Sequence, residues 1–179
     1  MTPRPATEQL VAAALDRIGA RPARVVDVGT GSGAIAIAIA RAAPASEVWA
    51  TDNNRSAVAL AGANVRRHEL QDRVTVVHGD LIEPVPGPID LVVANLPYLP
   101  IADAANYPEL AGEPSTALFG TTDGLGAYRR LLDVCEGRLA NDASVVIQLH
   151  RSVLAASVSD FPGLRARLDG FTPRLASAA

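Results

Sequence analysis

A short β-branched run, Arg24-Val25-Val26-Asp27-Val28, stops at Gly29 and passes through Thr30-Gly31-Ser32-Gly33 into an apolar, alanine-rich stretch, Ala34 to Ala43, closed by Pro44. This pattern predicts a strand, a glycine turn and a helix, the opening unit of an α/β sheet. The alternation then repeats. Glu47 to Thr51 is expected as a strand, Ser56 to Glu69 as a helix, Val74 to His78 and Ile89 to Ala94 as strands, Ala127 to Leu139 as a helix and Ala143 to Leu149 as a fifth strand. The strand runs are almost continuously apolar rather than alternating, so both faces of the sheet should be covered, as in a parallel sheet flanked by helices. Ahead of this core, Leu10, Val11, Ala14, Leu15 and Ile18 recur at helical spacing until Gly19 and Pro22. At the far end, Leu164 to Leu168 and Arg174 to Ser177 around Asp169-Gly170 could close as a hairpin. The irregular stretch from Pro100 to Gly126 has the length of a substrate loop or lid.

A chain of 179 residues, 49% of them apolar, can bury an ordinary core, and one domain over 1–179 is expected. Its formal net charge is −3 and every basic residue is an arginine, dispersed as singles or pairs such as Arg66-Arg67 and Arg129-Arg130. That balance disfavours a large nucleic-acid footprint. The single cysteine, Cys135, can neither staple the fold nor build a zinc site and reads as a small core residue. No targeting segment and no apolar run of membrane-spanning length is evident, which places the chain in a reducing cytoplasm. The oligomeric state has no sequence signal.

The glycine turn has the makings of a ligand cradle. Backbone N–H groups at a strand-to-helix turn are expected to face a ligand, and Gly29, Gly31 and Gly33 let it come close. Asp52 ends the second strand, where a carboxylate can accept both hydroxyls of a ribose, and Asp80 ends the third, within reach of an adenine amino group. Gly29, Gly31 and Ala34 also fit the looser dinucleotide fingerprint, so a nicotinamide cofactor stays open on the loop alone.

Asn95-Leu96-Pro97-Tyr98 lies just beyond the fourth strand, on the edge where open α/β sheets bind ligands. Pro97 fixes its own backbone and pushes Leu96 towards an extended conformation, which sets the Leu96 carbonyl beside the Asn95 side-chain carbonyl. Two acceptors aimed at one point suit a planar NH2 group, which becomes positive as it attacks a sulfonium methyl. Tyr98 can stack on a flat substrate group and hold the reacting atoms in line. Such a transfer requires neither a strong base nor a metal. A nicotinamide oxidoreductase would instead need a hydride-relay acid or base; there are no lysines, and His68, His78 and His150 are dispersed.

With these motifs the chain resembles the class I methyltransferases, which have a Rossmann-like, doubly wound, mostly parallel sheet, and most closely the protein-(glutamine-N5) methyltransferases that modify translation release factors. Pro3-Arg4-Pro5-Ala6-Thr7-Glu8 is similar to that family's entry segment, Asp27 to Ala38 to its cofactor loop, and Asn95-Leu96-Pro97-Tyr98 to its Asn-Pro-Pro-Tyr motif. Pro114 to Phe119, Asp123-Gly124-Leu125 and Tyr128-Arg129 resemble the segment after its active site. The resemblance implies S-adenosyl-L-methionine as cofactor. Gly29, Gly31 and Gly33 would surround its methionine part, Asp52 would hold its ribose and Asp80 would meet its adenine, with Asp27, Thr30, Asn53, Leu81 and Asn95 also at the cofactor site; Asn95 would bind the substrate amide. It also implies a protein substrate, with Pro5 and Glu8 bordering the site. Leu96 replaces the family's first proline, a pattern typical of ribosomal RNA adenine dimethyltransferases, which makes N6-adenine methylation the alternative. Gln148-Leu149-His150 stands where the family tends to have an acid and a glycine. No counterpart of the family's helical N-terminal domain is expected, which keeps a non-catalytic cofactor-binding module as a further alternative.

Overall fold

The computed structural model describes residues 5–96 and 125–148. Their elements run α1 (Pro5–Ile18), β1 (Arg24–Val28), α2 (Ala34–Ala42), β2 (Glu47–Asp52), α3 (Arg55–Arg67), β3 (Val74–His78), β4 (Ile89–Ala94), α4 (Gly126–Cys135) and β5 (Leu139–Ile147). The strands form one sheet in the order β3-β2-β1-β4-β5, and every neighbouring pair is parallel. This is the α/β architecture expected from the alternation. The closing hairpin expected over 164–177, and most of the irregular stretch after Pro100, lie outside the described residues.

By packing, the chain divides into two units. The first comprises Met1–Asn95 with Leu131–Gln148, the second Leu96–Arg130 with Leu149–Ala179. The first holds the sheet.

Within it, the central strands β1 and β4 are buried almost end to end, with Val25, Val26, Val28, Leu91, Val92 and Val93 at most 1% exposed. Each such side chain stabilises the fold by roughly 1.5–3 kcal/mol through loss of apolar surface. The continuous apolar runs therefore mark two-sided burial. α2, whose sequence is AIAIAIARA, buries Ile35, Ala36, Ile37, Ile39 and Ala40, and a helix apolar all round belongs in a core. α1 packs against α2, β4 and β5, and α3 against β2 and β3. The α3 start is fixed by Asn54, whose side chain accepts from Ser56 N and Ala57 N, satisfying two of the orphan donors of a first turn.

The elements around α4 and β5 depart from expectation. The helix expected to reach Leu139 ends at Cys135 because Gly137 adopts a left-handed φ of 72°, which an α-helix cannot contain. β5 then begins at Leu139, earlier than the expected Ala143. Ile89 pairs with Leu139 but Leu91 with Ser144, a register shift. Polar Asn141 and Asp142 occupy that irregularity, exposed, where an unpaired bulge tolerates them. Among the described residues no helix is long and apolar enough to cross a membrane.

Candidate active site

Sheet register lines up three strand ends. Val28 pairs with both Thr51 and Ala94, so the next residues along, Asp52, Gly29 and Asn95, stand side by side at the carboxyl edge of β2, β1 and β4. Gln148 extends the row beyond β5, its N–H donating to the Ala94 carbonyl at 3.0 Å. The carboxyl edge is where parallel α/β sheets place their ligands, because the strand-to-helix turns open there.

The glycine turn is rigidly held. The N–H groups of Gly29 and Thr30 both donate to the Thr51 carbonyl at 2.9 and 3.0 Å, that of Gly31 to Asp52 Oδ2 at 2.9 Å, and that of Gly33 to the Thr30 carbonyl at 2.9 Å. These four donors, expected to face a ligand, are spent inside the protein; a turn this tight uses them to hold its own shape. Gly29, Gly31 and Gly33 all have φ between 56° and 81°, a region costly for residues with a Cβ. Their surroundings differ. A Cβ on Gly33 would sit 3.3 Å from Ala61 Cβ on α3, whereas one on Gly31 would meet nothing within 4 Å. Gly33 thus allows close packing of loop on helix, while Gly31 borders open space. Asn64, also on α3, donates from Nδ2 to the Ser32 carbonyl at 2.8 Å.

Asp52 is held at both oxygens. Oδ2 accepts from Gly31 N–H and Oδ1 from Asn54 N–H, each at 2.9 Å. A carboxylate has about four acceptor positions, so two more are left for a diol. Asn53, the next residue, is exposed and its carbonyl lies 3.1 Å from His78 Nε2.

Asp27 plays a different part from its neighbours. It is fully buried; its Oδ2 accepts from Thr30 Oγ1 at 2.5 Å and from Ala36 N–H at 3.1 Å, and its Oδ1 has no partner. Burial pushes its carboxyl up to about 6, against the lowering effect of the Thr30 and Ala36 hydrogen bonds and with a small contribution from the Asp52 charge. From beneath, Asp27 ties the turn to the first turn of α2, and places a carboxyl at a helix N-terminus where negative charge is favoured.

Asp80 and Leu81 follow β3. Leu81 is left-handed, with φ 48°, a conformation that costs a side-chain-bearing residue about 1–2 kcal/mol. Its carbonyl accepts from the buried Thr51 Oγ1 at 2.6 Å. Local strain held in place by a buried hydroxyl, beside the row of strand ends, is typical of a binding segment.

In the second unit, Leu96 is buried and its peptide groups meet one side chain: the Tyr128 hydroxyl donates to the Leu96 carbonyl at 3.0 Å and accepts from the Leu96 N–H at 3.1 Å. Sequence analysis places Tyr128 only in the segment that follows the motif and assigns it no role at Leu96, though a signal exists: it lies at helical spacing from Leu125 and Leu131, and a buried phenol needs a partner. The Leu96 carbonyl, expected to face substrate, keeps one lone pair beyond the Tyr128 bond. Pro97 and Tyr98 lie outside the described residues, as do Leu149 and His150. Glu8 is exposed in the first turn of α1.

The open space over Gly31, the doubly anchored Asp52 and the unpaired Asp27 Oδ1 fit a ligand with a diol and a cationic group. S-adenosyl-L-methionine has both.

Comparison with known proteins bears on the family and the fold. The chain is 46% identical over 136 residues to the release factor glutamine methyltransferase of Gloeobacter violaceus, covering 74% of this chain and 48% of that protein. It is 38% identical over 128 residues to the ribosomal protein uL3 glutamine methyltransferase of Bordetella pertussis, covering 70% and 43%. The chain thus spans about half the length of the curated relatives it matches. Among solved structures, the hMettl16 catalytic domain superposes with a TM-score of 0.72 at 17% identity, covering 92% of this chain and 63% of that one. The ribosomal protein L11 methylase of Lactobacillus delbrueckii subsp. bulgaricus gives 0.62 at 23% identity, covering 90% and 69%. These two likenesses establish the fold. A family model, the methyltransferase small domain, matches residues 5–106, and the chain belongs to that family.

Proposed function

We propose that this chain transfers a methyl group from S-adenosyl-L-methionine to the side-chain amide nitrogen of a glutamine in a protein, a translation release factor being the first candidate. The observation that carries the proposal is the row Asp52, Gly29, Asn95 at the carboxyl edge of three adjacent strands, which puts the glycine turn beside Asn95. The cofactor, when bound, supplies a methyl carbon on a positively charged sulfur, open to attack by a weak nucleophile. Asp52 would hold its ribose, the Gly29–Gly33 turn its methionine part, and the Asp80-Leu81 segment its adenine.

Asn95 then does the work on the substrate. Its side-chain carbonyl would accept a hydrogen bond from the glutamine NH2, orienting the nitrogen and stabilising the positive charge that grows there as its electron pair forms the new N–C bond while the S–C bond breaks, the electrons of that bond leaving with S-adenosylhomocysteine. The Leu96 carbonyl contributes a second acceptor through its remaining lone pair. Once methylated, the nitrogen is strongly acidic and gives up its proton to water, so a dedicated base is unnecessary.

The relatives' names support glutamine as the acceptor and a protein as its carrier. The acidic balance of the chain argues against adenine in RNA or DNA. The setting is the reducing cytoplasm, where the buried thiol of Cys135 stays reduced.

The test is incubation with methyl-labelled S-adenosyl-L-methionine and, separately, a release factor and ribosomal protein uL3, followed by mass spectrometry. Label on one glutamine of either protein supports the reading and names the carrier. Label on neither, from a chain that binds cofactor, contradicts it.

A further inference from the structure

We infer that Tyr128 is a positioning residue for the acceptor motif: its single hydroxyl, bonded to both the carbonyl and the N–H of Leu96, sets the two peptide planes from which the motif presents its acceptors. The inference rests on the methyl-transfer reading for its consequence, though not for its geometry.

An extended residue turns its own N–H and C=O to the same side, so one hydroxyl can bridge them only in that conformation. Tyr128 does so at Leu96, with 3.1 Å to the nitrogen and 3.0 Å to the oxygen. The residue before a proline is already biased towards extended backbone. Tyr128 narrows that broad preference to one orientation: the N–H belongs to the peptide plane that begins at Asn95, and the carbonyl to the plane that continues into Pro97.

The phenol is well placed for this. Tyr128 is 1% exposed and lies in the first turns of α4, flanked at helical spacing by Leu125 and Leu131, themselves 1% and 0% exposed. A ring so fully buried has little freedom to swing its hydroxyl away. Phenylalanine would fill the same space and could make neither bond. Leu96 itself is 7% exposed, so water is poorly placed to replace the lost partner.

The family motif that this chain resembles has a proline where Leu96 stands. Proline has no N–H and fixes its own φ, so it would do covalently part of what the hydroxyl does here. In a Leu96→Pro background, loss of the Tyr128 hydroxyl should therefore cost less.

The test uses the full chain. In Tyr128→Phe, kcat for the glutamine substrate should fall at least tenfold, with S-adenosylhomocysteine affinity within twofold of wild type and KM for the protein substrate little changed. The same substitution in the Leu96→Pro background should lower kcat by a distinctly smaller factor. A Tyr128→Phe enzyme with unaltered kcat, or an equal loss in both backgrounds, would overturn the inference. Hydrogen exchange of the Leu96 amide in the wild-type chain gives a readout free of substrate and of any variant. Protection at least tenfold above an unbonded amide is expected, and rapid exchange would overturn the clamp. A wild-type chain that methylates no glutamine but protects Leu96 refutes the reaction while leaving the clamp standing.

Discussion

The Asp52 carboxylate accepts the Gly31 N–H at 2.9 Å, a bond that ties the glycine turn after β1 to the end of β2. The residue proposed to hold the cofactor's ribose is thus also a brace for the loop around its methionine part. Asp52→Ala removes both functions, and with them the bond from Asn54 N–H. The expected cost is about 1–3 kcal/mol of stability, as for hydrogen bonds to a charged group, and at least tenfold in S-adenosylhomocysteine affinity by calorimetry. An unchanged affinity would remove Asp52 from the site.

Two glycines of the same turn should respond differently to one methyl group. Gly33→Ala brings a Cβ to 3.3 Å from Ala61 Cβ at φ 81°, and its effect should be on folding, a loss of about 1–3 kcal/mol in denaturant titration. Gly31→Ala meets only open space. It should cost about 1 kcal/mol for its positive φ and mainly weaken cofactor binding, since the new methyl enters the cradle. Equal binding losses in the two variants would contradict this division.

Asp27 should give the fold a distinctive pH dependence. Its carboxyl is raised from 3.8 to about 6 in the native state, chiefly by burial. Between those values the native chain holds a proton that the unfolded chain has released. This contribution to stability is therefore full below about pH 4 and lost as pH rises through about 6, a change of about 3 kcal/mol. Asp27→Asn lacks this titration. The stability difference between wild type and variant should shift in the variant's favour by about that amount between pH 4 and pH 7, measured by urea unfolding. A difference that does not vary with pH would mean that Asp27 does not titrate in this range.

Much of this architecture can be read in the chain because its determinants are local. β1, β3 and β4 fall where short β-branched runs end in glycine, aspartate or asparagine, and parallel pairing then brings Gly29, Asp52 and Asn95 to one edge. What escaped the sequence reading is non-local. Tyr128 and Leu96 are 32 positions apart, and Thr51 and Leu81 are 30; no periodicity encodes a hydroxyl reaching a distant backbone group. The polar Asn141-Asp142 pair resembles a turn before a strand, and only its pairing with β4 makes it part of an irregular β5. The loop N–H groups looked available because local sequence cannot tell that the Thr51 carbonyl and Asp52 will take three of them.

The central proposal is tested most directly by measuring methyl transfer to a release factor with wild type and Asn95→Ala, each shown by calorimetry to bind S-adenosylhomocysteine. Asn95 is proposed as a substrate acceptor, so the variant should keep cofactor affinity within a few-fold and lose transfer by at least a hundredfold, a fall typical of removing a transition-state partner. Full transfer by Asn95→Ala would contradict the assignment of Asn95 and the amide-methylating mechanism built on it.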